Sequence, residues 1–262
     1  MTKKVAILYW GMTRSIRFVY ETHHENIFNV LKAANIFFDV FMHTWHVEDG
    51  NIIWGSISHI PIEYEEYKLL EPTQYQIDSQ DEFLKGLIFS DYYRKGKGEW
   101  LPDLLRNYLC ALESQKRVTE LCLKSGVTYD AILYMRPDVL VLSKLDPQWL
   151  SVQPGQIRIP DTFHYGGYND RFAIVHPESS RLYGCRIEQA KDYRMIHPRI
   201  EAEEYIKYIL ETSFSTIQEI RFNMVIVRPS GIVQEWSVLE SDAEAMAILK
   251  NSGLELKHHS VN

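Results

Sequence analysis

The chain has 262 residues, is 45% hydrophobic and 24% charged, and carries a formal net charge of -7. That composition suits a globular protein with a sizeable core, excludes a disordered chain, and lacks the basic footprint of a duplex nucleic-acid binder. An anionic ligand would have to meet local positive groups against this acidic background.

Val5 to Trp10 is a short apolar run closed by Gly11. It is too short for a secretory core and reads as a first buried strand. Ile27, Val30, Leu31 and Ala34 recur at helical spacing within Asn26 to Asn35, and Phe37 to Met42 is again β-like. Strand, helix, strand at this spacing predicts a βαβ unit with parallel strands. Tyr67 to Pro72 reads as a third strand, and Asp91 to Trp100, rich in glycine and cations, as a mobile loop. A helix from Pro102 to Lys124 stops at Gly126 and feeds a strand from Ala131 to Met135; Val139 to Leu142 re-enters the structure. Ile157 to Ile159 and Phe172 to Val175 are short strands. Pro177 suits the first turn of a helix running to about Tyr193. Ile200 to Leu210 is helical, and Ile220 to Val227 is β-like, ended by Arg228-Pro229-Ser230-Gly231. Ser241 and Glu244 form a capping box for the last helix, with Gly253 just past its end. Together these predict one α/β domain over 1–262, a central mixed, mainly parallel sheet flanked by helices.

The apolar run at Ala131 to Leu142 is interrupted by Arg136, Pro137 and Asp138. Proline cannot continue a central strand, so the strand ends near Met135 and delivers Arg136 and Asp138 to its carboxyl end, where open α/β sheets bind ligands. A carboxylate there is a hard ligand for Mg²⁺ or Mn²⁺, and an arginine two residues earlier can fork onto phosphate. The triplet reads either as half a diphosphate site or as a local ion pair stitching a turn. Gly11 and Arg14 follow the first strand as a close-approach point and a phosphate contact, or as a turn and a surface charge. His43, Thr44 and Trp45 leave the second strand as a base or ribose contact, or as core. Asp161, His164, Tyr165, Asn169, Asp170 and Arg171 crowd a Gly-Gly loop between two short strands. Such polar density favours function, although Asp170 and Arg171 could be a ladder-end salt bridge. No G-x-G-x-x-G and no Walker sequence is present.

The strings AILYWGMTR, FFDVFMHTW, YDAILYMRPDVLV and YNDRFAIVHPES, in this order, resemble GT-A-like glycosyltransferases of capsule loci and large DNA viruses. The match spans Val5 to about Ser179. It implies a single GT-A-like domain with a nucleotide-binding half at about 1–142 and an acceptor-side half at about 143–262. It also implies a UDP or GDP sugar donor, a glycan acceptor, and Mn²⁺ or Mg²⁺. Arg136-Pro137-Asp138 takes the place of the Asp-x-Asp signature with an arginine for the first acid, so Asp138 alone is left as a metal ligand. The donor-binding residues implied are Gly11, Arg14, His43, Thr44, Trp45, Arg136, Asn169 and Arg171. An inverting transfer, which we favour, needs a base for the acceptor hydroxyl: Asp170 first, then Asp161, with His164 a third candidate.

Two other readings stay open, a nucleotidyltransferase and a catalytically silent nucleotide-sugar-binding domain. The first should carry a Gly-rich, Lys-containing loop after strand one, which GMTRS lacks. Arg94-Lys95-Gly96-Lys97-Gly98 is the only basic cluster, so no nucleic-acid partner is expected. Cys110, Cys122 and Cys185 are odd in number and widely spaced. With no stretch of transmembrane length, they point to a soluble protein of a reducing compartment, the cytoplasm.

Overall fold

The computed structural model describes residues 3–47, 63–96 and 99–257. β1 (Lys4–Trp10) and β2 (Phe37–His46) pair in parallel, joined by a helical stretch through α1 (Tyr20–His23), a π-helical turn at His24–Phe28 and α2 (Asn29–Ala33). This is the predicted βαβ unit. β3 (Gln74–Ser79) adds in parallel to β2. After α3 (Gln80–Gly86) and α4 (Pro102–Lys124), β4 (Ala131–Met135) pairs in parallel with β1 on the side away from β2. β5 (Val139–Val141), β6 (Gln156–Pro160) and β7 (Phe172–Val175) come next, then α5 (Ser180–Gly184), α6 (Ile187–Ile196) and α7 (Ala202–Ser213). The chain continues through β8 (Thr216–Ile220), β9 (Met224–Ile226), β10 (Ile232–Val233), α8 (Ala243–Asn251) and β11 (Glu255–Leu256).

Among the described residues the main sheet has seven strands in the order β3-β2-β1-β4-β7-β6-β8. It is antiparallel where β7 meets β4 and β6 and parallel elsewhere. The fold is therefore a mixed, mostly parallel sheet flanked by helices, as expected. β1 is buried on both faces, which explains its unbroken apolar run. Val5, Ile7 and Tyr9 pack with Ile27, Phe28 and Leu31, while Ala6, Leu8 and Trp10 pack with Val118 and Cys122 of α4 and Ile206 and Leu210 of α7. No helix among the described residues is long and apolar enough to cross a membrane.

Four elements differ from the sequence reading. Tyr67 to Pro72 is not a strand: Tyr64–Leu70 is a 3₁₀ helix. Tyr67 and Leu70, three apart, share its buried face. The third strand is β3, a half-exposed edge strand whose Gln74, Gln76 and Asp78 give no apolar signal. The helix after Pro177 breaks between α5 and α6, where the Tyr134 hydroxyl donates to the Ser180 carbonyl (3.1 Å) and Arg186 Nη1 to the Tyr183 carbonyl (3.0 Å). Ile220 to Val227 divides into the end of β8, in the main sheet, and β9, which pairs with β5. At α8 the N-cap is Asp242, whose Oδ1 accepts from the Ala245 N–H (3.0 Å), rather than Ser241. Of the expected mobile loop, residues 97 and 98 lie outside the described residues.

The connection after β1 runs to β2 on one side, and β4 lies on the other. The carboxyl ends of β1 and β4 thus border a topological switch point. Tyr9 is level with Met135 in the ladder, so the segments starting at Trp10 and Arg136 leave the sheet side by side.

Candidate active site

At the end of β4 the turn is closed on itself. Arg136 Nε donates to Asp138 Oδ1 (2.9 Å) and Nη2 to Oδ2 (2.7 Å), a two-pronged pair. Arg14, delivered from β1, places Nη2 3.6 Å from the same Oδ2. Asp138 is 2% exposed. Burial alone would raise its carboxyl, but Arg136, then Arg14 and Arg228, outweigh this and hold it at about 2. Burial pushes Arg14 down to about 10, with Arg136 and Arg228 repelling it and Asp138 opposing, so it stays cationic at neutral pH.

The Val227 N–H donates to the Asp138 carbonyl (2.9 Å), which brings the next residue, Arg228, to the same place. Arg228 Nη2 lies 4.0 Å from Glu235, and Arg171 is ion-paired with Glu235. Arg171 also stacks 4.3 Å over the Phe163 ring. Arg186, in the break between α5 and α6, is wholly buried over Tyr183.

These five arginines, with Asp138, Asp170, Glu203 and Glu235, line one cavity of about 280 Å³ at the switch point. Gly11, Trp10, Trp45, Trp100 and Tyr108 complete much of its wall. The volume is near the lower end of small-molecule sites. Burial first, and then the charge of Asp170, push the Glu203 carboxyl up to about 8; Arg171 opposes and Glu201 adds.

The loop carrying Asp170 is pressed onto the start of α7. The Tyr168 N–H donates to the Glu203 carbonyl (3.1 Å), and a Cβ on Gly167 would sit 1.7 Å from that oxygen and 2.6 Å from the Glu204 nitrogen. Only glycine permits this approach, because the obstacle is backbone. Gly167→Ala is therefore expected to cost about 1–3 kcal/mol through overpacking and to lift Asp170 away from Glu203. Thermal melting reads the first effect and turnover the second; an unchanged melt would mean that the loop docks elsewhere.

The other expected site residues are placed differently. His43 is wholly buried and does not line the cavity. Its Nε2 is 3.0 Å from Asp78 and its Nδ1 2.7 Å from Ser114 Oγ, which accepts from the Gly11 N–H (2.8 Å). Because a carboxylate only accepts, Nε2 carries the proton and Nδ1 takes the serine hydroxyl. Burial pushes His43 down to about 4. The serine–imidazole–carboxylate order resembles a nucleophile relay, but Ser114 has no exposed surface. Instead, the relay fixes the backbone of Gly11, whose φ of 101° only glycine adopts readily. Gly11 lines the cavity, but its N–H is engaged by Ser114.

Thr44 is buried 3.5 Å from the Thr13 hydroxyl. Trp45 donates to the Cys110 carbonyl (3.0 Å) and stacks on Phe83, reaching the cavity from the core. Asn169 shapes the loop, accepting from the Arg171 N–H (2.8 Å) and donating to the Thr162 carbonyl (2.8 Å). Asp161 is exposed and His164 is 3.6 Å from Glu219; neither lines the cavity. Of the three candidate bases, only Asp170 does.

Arg186, Arg228, Glu203 and Glu235 went unassigned in the sequence. Arg228 had a signal: Arg228-Pro229 after β9 repeats Arg136-Pro137 after β4. Glu203 sits among ordinary acids of a first helical turn, and Arg186 inside an expected helix, so neither stood out.

A metal does not fit this donor set. Among the described residues no three His, Cys, Asp or Glu side chains gather to hold an ion. The expected ligand, Asp138, has both oxygens hydrogen-bonded to Arg136, with Arg14 and Arg228 adding like charge to that of a cation.

No family model matches the sequence, and no curated protein does. Among solved structures the chain is similar to the glycosyltransferase GlyE of Streptococcus pneumoniae TIGR4, at 12% identity over 83% of this chain and 46% of that one, with a TM-score of 0.39. It is also similar to the galactosyltransferase LgtC in complex with donor and acceptor sugar analogs, at 7% identity over 93% of this chain and 81% of that one, with a TM-score of 0.45. The chain thus spans about half the length of GlyE. Likeness at these scores carries no weight for the function, which is read from the residues of this chain alone.

Proposed function

We propose that this chain is a glycosyltransferase of the GT-A-like kind suggested by its sequence motifs. It would move a hexosyl or pentosyl group from a UDP or GDP sugar to a glycan acceptor, as in capsule or viral glycan synthesis. The observation that carries this reading is the meeting of Arg14, Arg136 and Arg228 with Asp170 in one cavity at the switch point. Guanidinium groups there suit a diphosphate, and a carboxylate across the same cavity suits an acceptor hydroxyl.

That arrangement supports an inverting step. The acceptor oxygen bonds to the anomeric carbon as the sugar–phosphate bond breaks, and the electron pair stays on the diphosphate oxygen. The hydroxyl proton passes to Asp170. Attack from the side opposite the leaving group inverts the anomeric centre. Arg14, Arg136 and Arg228 stabilise the charge that grows on the leaving diphosphate. Asp161 and His164, outside the cavity, take no part. His43 and Asn169 act through backbone, fixing Gly11 and the Asp170 loop. The cysteines, free and buried, accord with a reducing compartment such as the cytoplasm.

Titration of nucleosides, nucleoside monophosphates and nucleoside diphosphates tests the binding half. The diphosphate should bind most tightly, because only it spans the arginines. Equal affinity for the bare nucleoside would remove the diphosphate site.

A further inference from the structure

The expected metal and the observed donor set disagree, and the disagreement has a chemical resolution. We propose that the arginine cluster does the work of the divalent cation, so that donor binding and sugar transfer proceed without a metal. The proposal rests on the reading of the cavity as a nucleotide-diphosphate-sugar site.

Two carboxylates, the buried Asp138 and the partly buried Glu235, act as hubs, each serving two arginines. Asp138 takes Arg136 through both oxygens and Arg14 at 3.6 Å. Glu235 takes Arg171 by ion pair and Arg228 at 4.0 Å. Arg186 adds a fifth guanidinium to the same wall. Five guanidiniums against four carboxylates leave the cavity wall with positive charge in excess, and burial with the charge of Asp170 pushes Glu203 toward its neutral form, which adds to that excess. That excess faces the diphosphate, where a divalent ion would otherwise supply positive charge.

The cluster is also prepared to donate. Arg171 is 4% exposed, and its Nη1 is buried with no hydrogen-bond partner among the described residues. An N–H left so is costly unless a ligand oxygen completes it. Guanidiniums present forked donors that match phosphate oxygens, and their orientations are fixed here by the two hubs. As the sugar–phosphate bond breaks, the negative charge on the diphosphate grows against donors that need no rearrangement. An added Mn²⁺ ion would have to displace Arg136 from Asp138, breaking a two-pronged pair at a place where, among the described residues, no three His, Cys, Asp or Glu side chains gather to replace it.

The test is calorimetric titration of UDP and of GDP into the full chain, once in EDTA and once in Mn²⁺, with sugar transfer followed under both conditions. The expected result is the same affinity and the same turnover in both. Arg228→Gln should weaken the nucleoside diphosphate about tenfold or more, the scale of one charge-assisted contact, and Mn²⁺ should not restore it. Arg228→Lys, which keeps the charge if the glutamine variant is unstable, should bind more tightly than Arg228→Gln. Binding seen only with Mn²⁺ would overturn the metal-free proposal and leave the glycosyltransferase reading standing. Full affinity in Arg228→Gln would overturn the arginine clamp. No binding of either nucleotide under either condition would overturn the glycosyltransferase reading itself.

Discussion

The Asp138→Asn variant should melt about 10 °C below the parent chain, a loss on the order of 3 kcal/mol for breaking a buried ion pair. The reason is local. The asparagine amide would keep one acceptor for Arg136 but no charge, leaving Arg14, Arg136 and Arg228 to repel one another in a buried corner. A metal-ligand role for Asp138 predicts the opposite pattern, namely little change in the metal-free melt and a lost response to Mn²⁺. The acid side offers a check of sign. The Asp138 carboxyl is held at about 2 against an ordinary 3.8, so its contribution to stability is complete above the ordinary value and fades as pH falls through the lower one. The gap between parent and variant should narrow over that range. Equal melting temperatures at neutral pH would show that the pair contributes nothing.

Asp170→Asn should lower turnover by at least about 10²-fold while leaving nucleoside diphosphate affinity near that of the parent. The base touches the acceptor hydroxyl; the diphosphate is held across the cavity by arginines. Removing the Asp170 charge also relieves Glu203, whose carboxyl it helps to push up, so Glu203 should ionise at lower pH in the variant. A carbon-detected NMR titration of Glu203 reads that shift independently of activity. If instead the nucleotide sugar binds less tightly and the bare diphosphate binds as before, Asp170 contacts the donor sugar. If both ligands weaken and the protein melts earlier, Asp170 is structural.

The parts of this fold legible in the sequence are those set by local rules. β1 and β4 are nearly unbroken apolar runs because both faces are buried, and Pro137 marks where β4 must stop. α4 matched from Pro102 to Lys124 because its buried residues, from Leu105 and Leu109 to Leu112, Val118 and Cys122, keep helical period. Long-range partners were not legible. β3 is an edge strand defined by its neighbour rather than by its residues. The break at Arg186 is fixed by hydrogen bonds donated by the Tyr134 and Tyr205 hydroxyls and by one from Arg186 to the Gln115 side-chain oxygen, all partners distant in sequence. In the site, the sequence offered two meanings for Arg136 and Asp138, a diphosphate site or a stitched turn. The structure contains the stitched pair, and that pair lines a cavity with four more arginines. His43 illustrates the same limit: its place at a strand end suggested ligand contact, while its burial depends on Ser114 and Asp78 from other elements.

Incubating the full chain with a panel of UDP and GDP sugars and candidate glycan acceptors, with product mass and released nucleoside diphosphate measured together, tests most directly whether this cavity transfers sugar. The predicted result is an acceptor gaining one sugar mass as one nucleoside diphosphate appears, lost in Asp170→Asn. Tight nucleotide-sugar binding with no product and no diphosphate release from any member of the panel would contradict catalysis and leave a binding domain.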